Sequence, residues 1–578
     1  MRPVFLSNSF VSQLISPGFD DSRLGISTFK FNPAAPIKTL DIGRIASKAL
    51  SVFGANDNFY AHWRVQSGVV PFLHEDTVSP PERLLQAIWQ HQRLLRDQLH
   101  TLDGIPVRIL HPGFHNLEGG PDFRGAVVQF GEDMARTGDI EVDLRASGWR
   151  AHGHDGNPAF DKVILHVIWE SDSRPQTAGS PPLMVLRGAL DAPLGELSLW
   201  LGGETAHIFP EELRGKCCAP LRRLSSTELL DLLHQAAHVR LRSKASQFQA
   251  CARQVGWEQA LWEGLFRALG FKHNVWPMQR LAELRHLWAD KACGQYVRPV
   301  QPAETEPQEA RARRTGEVPW AMVFETQARL LGLSGLLPTD LTRSQSRNDD
   351  YLRRVWDQWW RERDMLSTNT LPRITWRLHG LRPANNPQRR LALAANWAVD
   401  REIGAVLEDW CGRELRDREL VLSLLEALQV AEDEFWSWHW TLHSGRLRHK
   451  QPLLGATRVT DLAVNVVLPW LWMRAVEGKN ESLQQRLEHR YFTWPAAQDN
   501  SVLRLARERL LGGAGKRALP NAAAQQGLIQ VVRDFCDHSN AICEQCRLPE
   551  MVKEFRVAYE NRQGILPGGP PRATRESG

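Results

Sequence analysis

Long apolar runs are missing from this chain. No stretch of eighteen apolar residues occurs, and the nearest approach, LAVNVVLPWLW, is interrupted by Asn465 and Pro469, so no membrane-spanning helix is expected. The opening residues, MRPVFLSNSFVSQLISPGFDDS, carry one early Arg but no continuous apolar core, which argues against a cleaved signal peptide. Cysteine is sparse: eight residues in 578 cannot form the dense disulfide framework of a small secreted domain. A strong charge of one sign is also lacking. The formal net charge of +5 permits an anionic partner without requiring one. Together these absences point to a cytoplasmic protein without membrane contact, and they leave its oligomeric state open.

What is present is an ordinary globular composition, 42% hydrophobic and 24% charged, in a chain too long for one core. Residues 1–57 read as an irregular extension. Residues 58–205 read as an α/β core, 206–300 as a helical domain and 301–317 as a linker rich in charge. A second helical domain follows over 318–535, then a Cys-containing segment over 536–564 and a disordered tail over 565–578. No internal repeat stands out. Twenty-two tryptophans against five tyrosines is unusual, but WDQWW and WSWHW place them at helical spacing, as core residues would be.

Within 58–205 the pattern predicts a helix followed by four strands. Ser79 is placed to cap the helix, with Pro80 at its first position and Glu82 completing a capping box. Leu84, Leu85, Ile88, Trp89, Leu95 and Leu99 would line one face. The strands are expected at 106–110, 123–130, 139–145 and 163–169. In the third, Ile140, Val142 and Leu144 alternate with Asp139, Glu141, Asp143 and Arg145, and in the fourth His166 interrupts an apolar run.

Several segments resemble, in order over roughly residues 58–550, the bacterial domain-of-unknown-function 2851 family. They include LLQAIWQHQ, TLDGIPVRILHPGFHNLEGGPDFRGA, GDIEVDLRASGWRAHGHD, LFRALGFKHNVWPMQRLA and WRLHGLRPANNPQRRLA. A helix with an early acid, then Pro121-Asp122 opening one strand and Glu141-Val142-Asp143 on the next, is similar to the core of PD-(D/E)XK nucleases. That resemblance implies a mixed sheet with a flanking helix, followed here by mostly α-helical domains. It also implies a divalent cation, usually Mg2+, held by Asp122 and Glu141 and activating water against a phosphodiester. The superfamily's Lys is replaced by Asp143. Lys162, His152, His154 and His166 are the nearby groups able to move a proton in its place. Arg145 is a candidate phosphate contact.

Alternation of acids with apolar residues is also what a solvated sheet face looks like, and Pro-Asp commonly marks a turn. The Gly-rich HGHD loop at 152–155, with His115 and His166, offers a separate metal reading. Near the C-terminus, Cys536-x6-Cys543-x2-Cys546 has chelating spacing for zinc or an iron–sulfur cluster, with Cys411 or His538 as a fourth ligand; the alternative is three reduced structural thiols. Arg-rich stretches at 238–244 and 376–390, the latter with Arg377, Arg382, Arg389 and Arg390 around a PANNP turn, suit a phosphate backbone or, equally, structural hydrogen bonding. Three readings follow: a metal-dependent nuclease acting on nucleic acid, an inactive nucleic-acid-binding scaffold, and a metal-dependent hydrolase of another substrate using the His/Asp cluster.

Overall fold

A computed structural model describes residues 58–67, 79–116, 119–172, 180–201, 219–271, 273–289, 320–339, 341, 349–400, 402–498, 500–513, 519–536 and 546–563. The extension, the 301–317 linker, the 565–578 tail and Cys543 lie outside these residues. A mixed sheet near the N-terminal side is followed by a mostly helical region, the α+β layout expected from the sequence.

The sheet strands are β1 (Val107–His111), β2 (Phe114–His115), β3 (Phe123–Phe130), β4 (Arg136–Asp143), β5 (Val163–Ile168) and β6 (Leu183–Val185). Their order is β1-β3-β4-β5-β6, with β2 also on β3. β3 runs antiparallel to β1, β2 and β4, whereas β4, β5 and β6 are parallel neighbours. Parallel pairing of β4 and β5 obliges the chain to cross back between them. Residues 144–162 make that crossing, through a one-turn helix, Gly148–Ala151, and a short 3-10 turn at Pro158–Phe160.

Helix α1 (Phe59–Gln66) precedes the sheet region, and α2 (Glu82–His91) packs on it. The apolar face of α2, Leu84, Leu85, Ile88 and Trp89, is buried with Phe123, Ile140, Val142, Leu165 and Val167. The start of α2 differs from expectation. Pro81, not Ser79, precedes the first helical residue, and it supplies no side-chain cap. Pro80 is itself followed by a proline, which disfavours helical backbone at Pro80, so the helix begins only at Glu82. It also ends early, at a left-handed Gln92 with φ 49°. Leu95 and Leu99 therefore lie beyond the helix, although Leu99 is still buried in the same core. Strands β2 and β6 went unanticipated, being two and three residues long.

The helical region is organised on α3, a 30-residue helix over Ser226–Val255 whose capping box joins Ser225 and Glu228 reciprocally. The helix Ala522–Phe535 lies so close against it that a Cβ on Gly527 would fall 1.9 Å from the Leu233 carbonyl oxygen. Helix α1 is fastened to the same pair. Buried Asp534 accepts from Tyr60 Oη at 2.6 Å and from Arg64 Nη2 at 3.0 Å. Sheet and helices share apolar packing: Leu110 and Val127 are buried in the large helical core, and Ala250 of α3 in the sheet core. Many of the tryptophans serve as core, with Trp262, Trp288, Trp397, Trp410, Trp436, Trp470 and Trp494 fully buried, whereas Trp320 and Trp360 are exposed. One helical stretch, Ala456–Glu477, is long and apolar enough to cross a membrane, but 78% of its most apolar window is buried inside the protein, as in a core helix.

The Gly527 contact yields a test of opposing effects. Gly→Ala inside a helix ordinarily stabilises by about 1 kcal/mol, whereas forcing a methyl into packed backbone costs about 1–3 kcal/mol. Gly527→Ala is expected to lower the thermal unfolding midpoint. An unchanged or raised midpoint would show that the two helices sit further apart.

Candidate metal centre

Asp122 ends the loop before β3, and Glu141 and Asp143 stand two residues apart on β4, so strand geometry turns both acids to one face. That face is not solvated. Glu141 and Asp143 are buried, because the 144–162 crossover folds over them. Its closeness depends on Gly148, where a Cβ would come within 2.8 Å of the Asp143 carboxyl group.

The acids are interlocked. The Asp122 N–H donates to Glu141 Oε2 at 3.1 Å, and Asp122 Oδ2 accepts from the Val142 N–H at 3.1 Å. Asp122 Oδ1 accepts from Gln86 Nε2 of α2 at 2.8 Å. Asp143 meets two imidazoles, His166 Nε2 at 2.9 Å and His152 Nδ1 at 3.2 Å. His154 Nδ1 lies 3.5 Å from Glu141 Oε1, with its ring stacked on Phe160 at 3.9 Å and edge-on to Trp149 at 5.3 Å. Glu141, Asp143 and His154 each offer one ligand atom, all within 4.8 Å of one another.

Crowding and burial shift these acids strongly. Asp122 is raised to about 7, chiefly by burial, and Glu141 to about 9, by burial and then by the Asp122 charge. Glu82, at the first position of α2, is raised by desolvation and by the Asp143 charge. It therefore acts at the rim of this group and not as the cap expected of it. Burial lowers His154, disfavouring the imidazolium form, which could not bind a cation. Two carboxyl groups with raised proton affinity, beside a third and an imidazole, form a setting that a divalent cation would stabilise by displacing protons.

The structure thus brings together Asp122, Glu141, Asp143, His152, His154 and His166, and adds Gln86 and Glu82. Glu82 and Gln86 carried a signal in their i,i+4 spacing, which puts both on one side of α2. Other candidates are placed elsewhere. Lys162 is exposed ahead of β5, with its carbonyl accepting from the Asp139 N–H. His115 packs on Phe123. Arg145 lies past the end of β4 and pairs with Glu170 at 2.9 Å. Arg389 is buried, not open to phosphate: its guanidinium donates to the carbonyls of His439, Gln451 and Pro452. Arg382 is exposed, and Arg377 lies 5.5 Å over the exposed Phe114 ring.

Cys536 and Cys546 both pack against the C-terminal apolar cluster, whereas Cys411 is buried in the central helical core. Cys411 therefore belongs to different packing from the two cysteines it was matched with. Cys543 and His538 lie outside the described residues.

A family model described as "Protein of unknown function (DUF2851)" matches residues 82–288 and 320–500. No curated protein matches the chain, and no solved structure does.

The raised Glu141 gives a pH signature. A carboxyl raised on folding binds its proton more tightly in the folded state, so its contribution is intact below the unfolded value of about 4.3 and is lost as pH climbs toward 9. Glu141→Gln cannot ionise. In metal-stripped protein this variant is expected to melt above wild type at about pH 8, with the offset shrinking steadily toward about pH 4. Thermal melts showing the same offset at both values would remove the buried-acid account.

Proposed function

We propose that this chain, which belongs to the DUF2851 family, is a divalent-cation-dependent phosphodiesterase acting on nucleic acid. The observation that carries this reading is the buried convergence of Glu141, Asp143 and His154 beside Asp122. The residues fit an ion, since they supply anionic oxygens and a neutral imidazole at one point. When bound, such an ion polarises water and neutralises charge building on a phosphodiester. The order of acids along the chain, resembling the PD-(D/E)XK core, supports the same chemistry.

The protein's own groups have distinct tasks. Asp122, held by α2 and by the β4 backbone, braces Glu141. His166 orients Asp143 from the neighbouring parallel strand. His152 is half exposed while touching Asp143, so it is the group placed to exchange protons with water or substrate, where the resembling enzymes use Lys.

A polymer of phosphates and aromatic bases suits the adjoining surface. Phe114 is 45% exposed with Arg377 over it. The Asn274 side chain fixes Arg377 by bonding both its backbone groups. From Phe114 the path to the acids is short, because the Asn116 N–H donates to the Asp122 carbonyl. Arginine beside exposed aromatic rings is the chemistry that grips single strands. A second reading is favoured by one fact: among the described residues no lysine pairs with Asp122 or Glu141. It is a nucleic-acid-binding protein without turnover.

Cleavage of labelled DNA and RNA, single-stranded and duplex, is expected only with a divalent cation. Glu141→Ala and Asp143→Ala should abolish it while binding and its salt dependence stay as in wild type. Cleavage in chelator, or by both variants at wild-type rate, contradicts the reading. Salt-sensitive binding without cleavage under any cation favours the second.

A further inference from the structure

The donor set goes beyond a generic acidic site. We propose that the resident ion is a nitrogen-accepting transition metal, of the Mn2+, Fe2+ or Zn2+ class, held by Glu141, Asp143 and His154, and that Asp122 is a brace and not a ligand. The inference rests on the cation part of the proposed function and is independent of the substrate.

Three observations carry it. His154 is 8% exposed, and its Nδ1 has no hydrogen-bond partner among the described residues although it faces Glu141 Oε1. A buried ring nitrogen left unpaired is costly, and at 3.5 Å the approach to Glu141 does not form a hydrogen bond. The ring cannot swing away to find water, being stacked on Phe160 and edged by Trp149. An ion between His154 and the acids supplies the missing partner.

The second observation is how each carboxylate is used. Glu141 Oε2 accepts from the Asp122 N–H, which leaves Oε1 turned to His154. Asp143 is gripped by His166 and His152, the outer-shell arrangement that fixes a ligating carboxylate. Asp122 is outside the group whose ligand atoms lie within 4.8 Å of one another, and its oxygens are held by Gln86 and the Val142 N–H.

The third is size and softness. Ligands at about 2.2 Å from one ion lie at most about 4.4 Å apart, so a span of 4.8 Å needs a closure of only a few tenths of an ångström. Mg2+ prefers six oxygens and retains its waters, while imidazole suits Zn and Fe and carboxylates suit Mn, so one imidazole beside two acids fits this class. Replacement of the expected Lys by Asp143 then has a positive meaning, since the position supplies a ligand.

The test is Co2+ titration of the full, metal-stripped chain, read by visible absorption and equilibrium dialysis. One equivalent should bind, Zn2+ should displace it, and millimolar Mg2+ should not. His154→Ala is expected to weaken Co2+ binding roughly tenfold or more and to change the spectrum. His154→Gln, which preserves side-chain bulk, should do the same with wild-type circular dichroism. Asp122→Asn, which keeps the main-chain N–H to Glu141, should keep the wild-type spectrum and lose less affinity than either His154 variant. The proposal is overturned if wild type binds no Co2+, if Mg2+ competes equally, if both His154 variants bind normally, or if Asp122→Asn loses as much as they do. Intact Co2+ binding without cleavage of nucleic acid would remove the substrate reading and leave this site standing.

Discussion

Glu141 and Asp143 are buried side by side with His154 and His166, against the partly exposed Asp122, and that crowding of acids is the constraint around which the sheet region is arranged. Each acid would prefer water. What holds them is a set of short links: the Asp122 and Val142 N–H groups, Gln86, His166 and His152. Those links orient the oxygens without neutralising them, and Asp122 and Glu141 are accordingly displaced to about 7 and about 9. Removal of the charge by protons or by a cation is the only relief the surroundings offer.

The sheet topology explains why the cluster forms at β4. This strand pairs antiparallel with β3 on one side and parallel with β5 on the other. The antiparallel side brings Asp122 to Glu141, and the parallel side sets His166 level with Glu141. The parallel pairing also requires the crossover, and the crossover supplies Trp149, His152, His154 and Phe160. One change of strand direction thus delivers both His154 and the cover over the acids.

Much of this was legible in the sequence. Alternation in DIEVDLR correctly put Glu141 and Asp143 on one face, and Pro121-Asp122 marked the start of the neighbouring strand. The same alternation suggested a solvated face, because local pattern cannot reveal that residues 144–162 return to cover it. His154 had no stronger signal than a Gly-rich loop. The helix start was misplaced because a capping motif was read through a Pro-Pro pair that bars it. Arg389 looked like a phosphate contact because its carbonyl partners, His439, Gln451 and Pro452, are 50 to 63 residues away in sequence. For the acids and Arg389 the missing information was long-range burial, whereas the helix start turned on a local pair of prolines.

The most direct test of the central claim is a crystal of the full chain soaked in Mn2+, with anomalous scattering recorded at the manganese edge. The account predicts one dominant peak bounded by Glu141, Asp143 and His154, absent in the Glu141→Gln protein. A well-ordered crystal with no peak there, or with His154 Nδ1 bonded to a protein group instead, would contradict it.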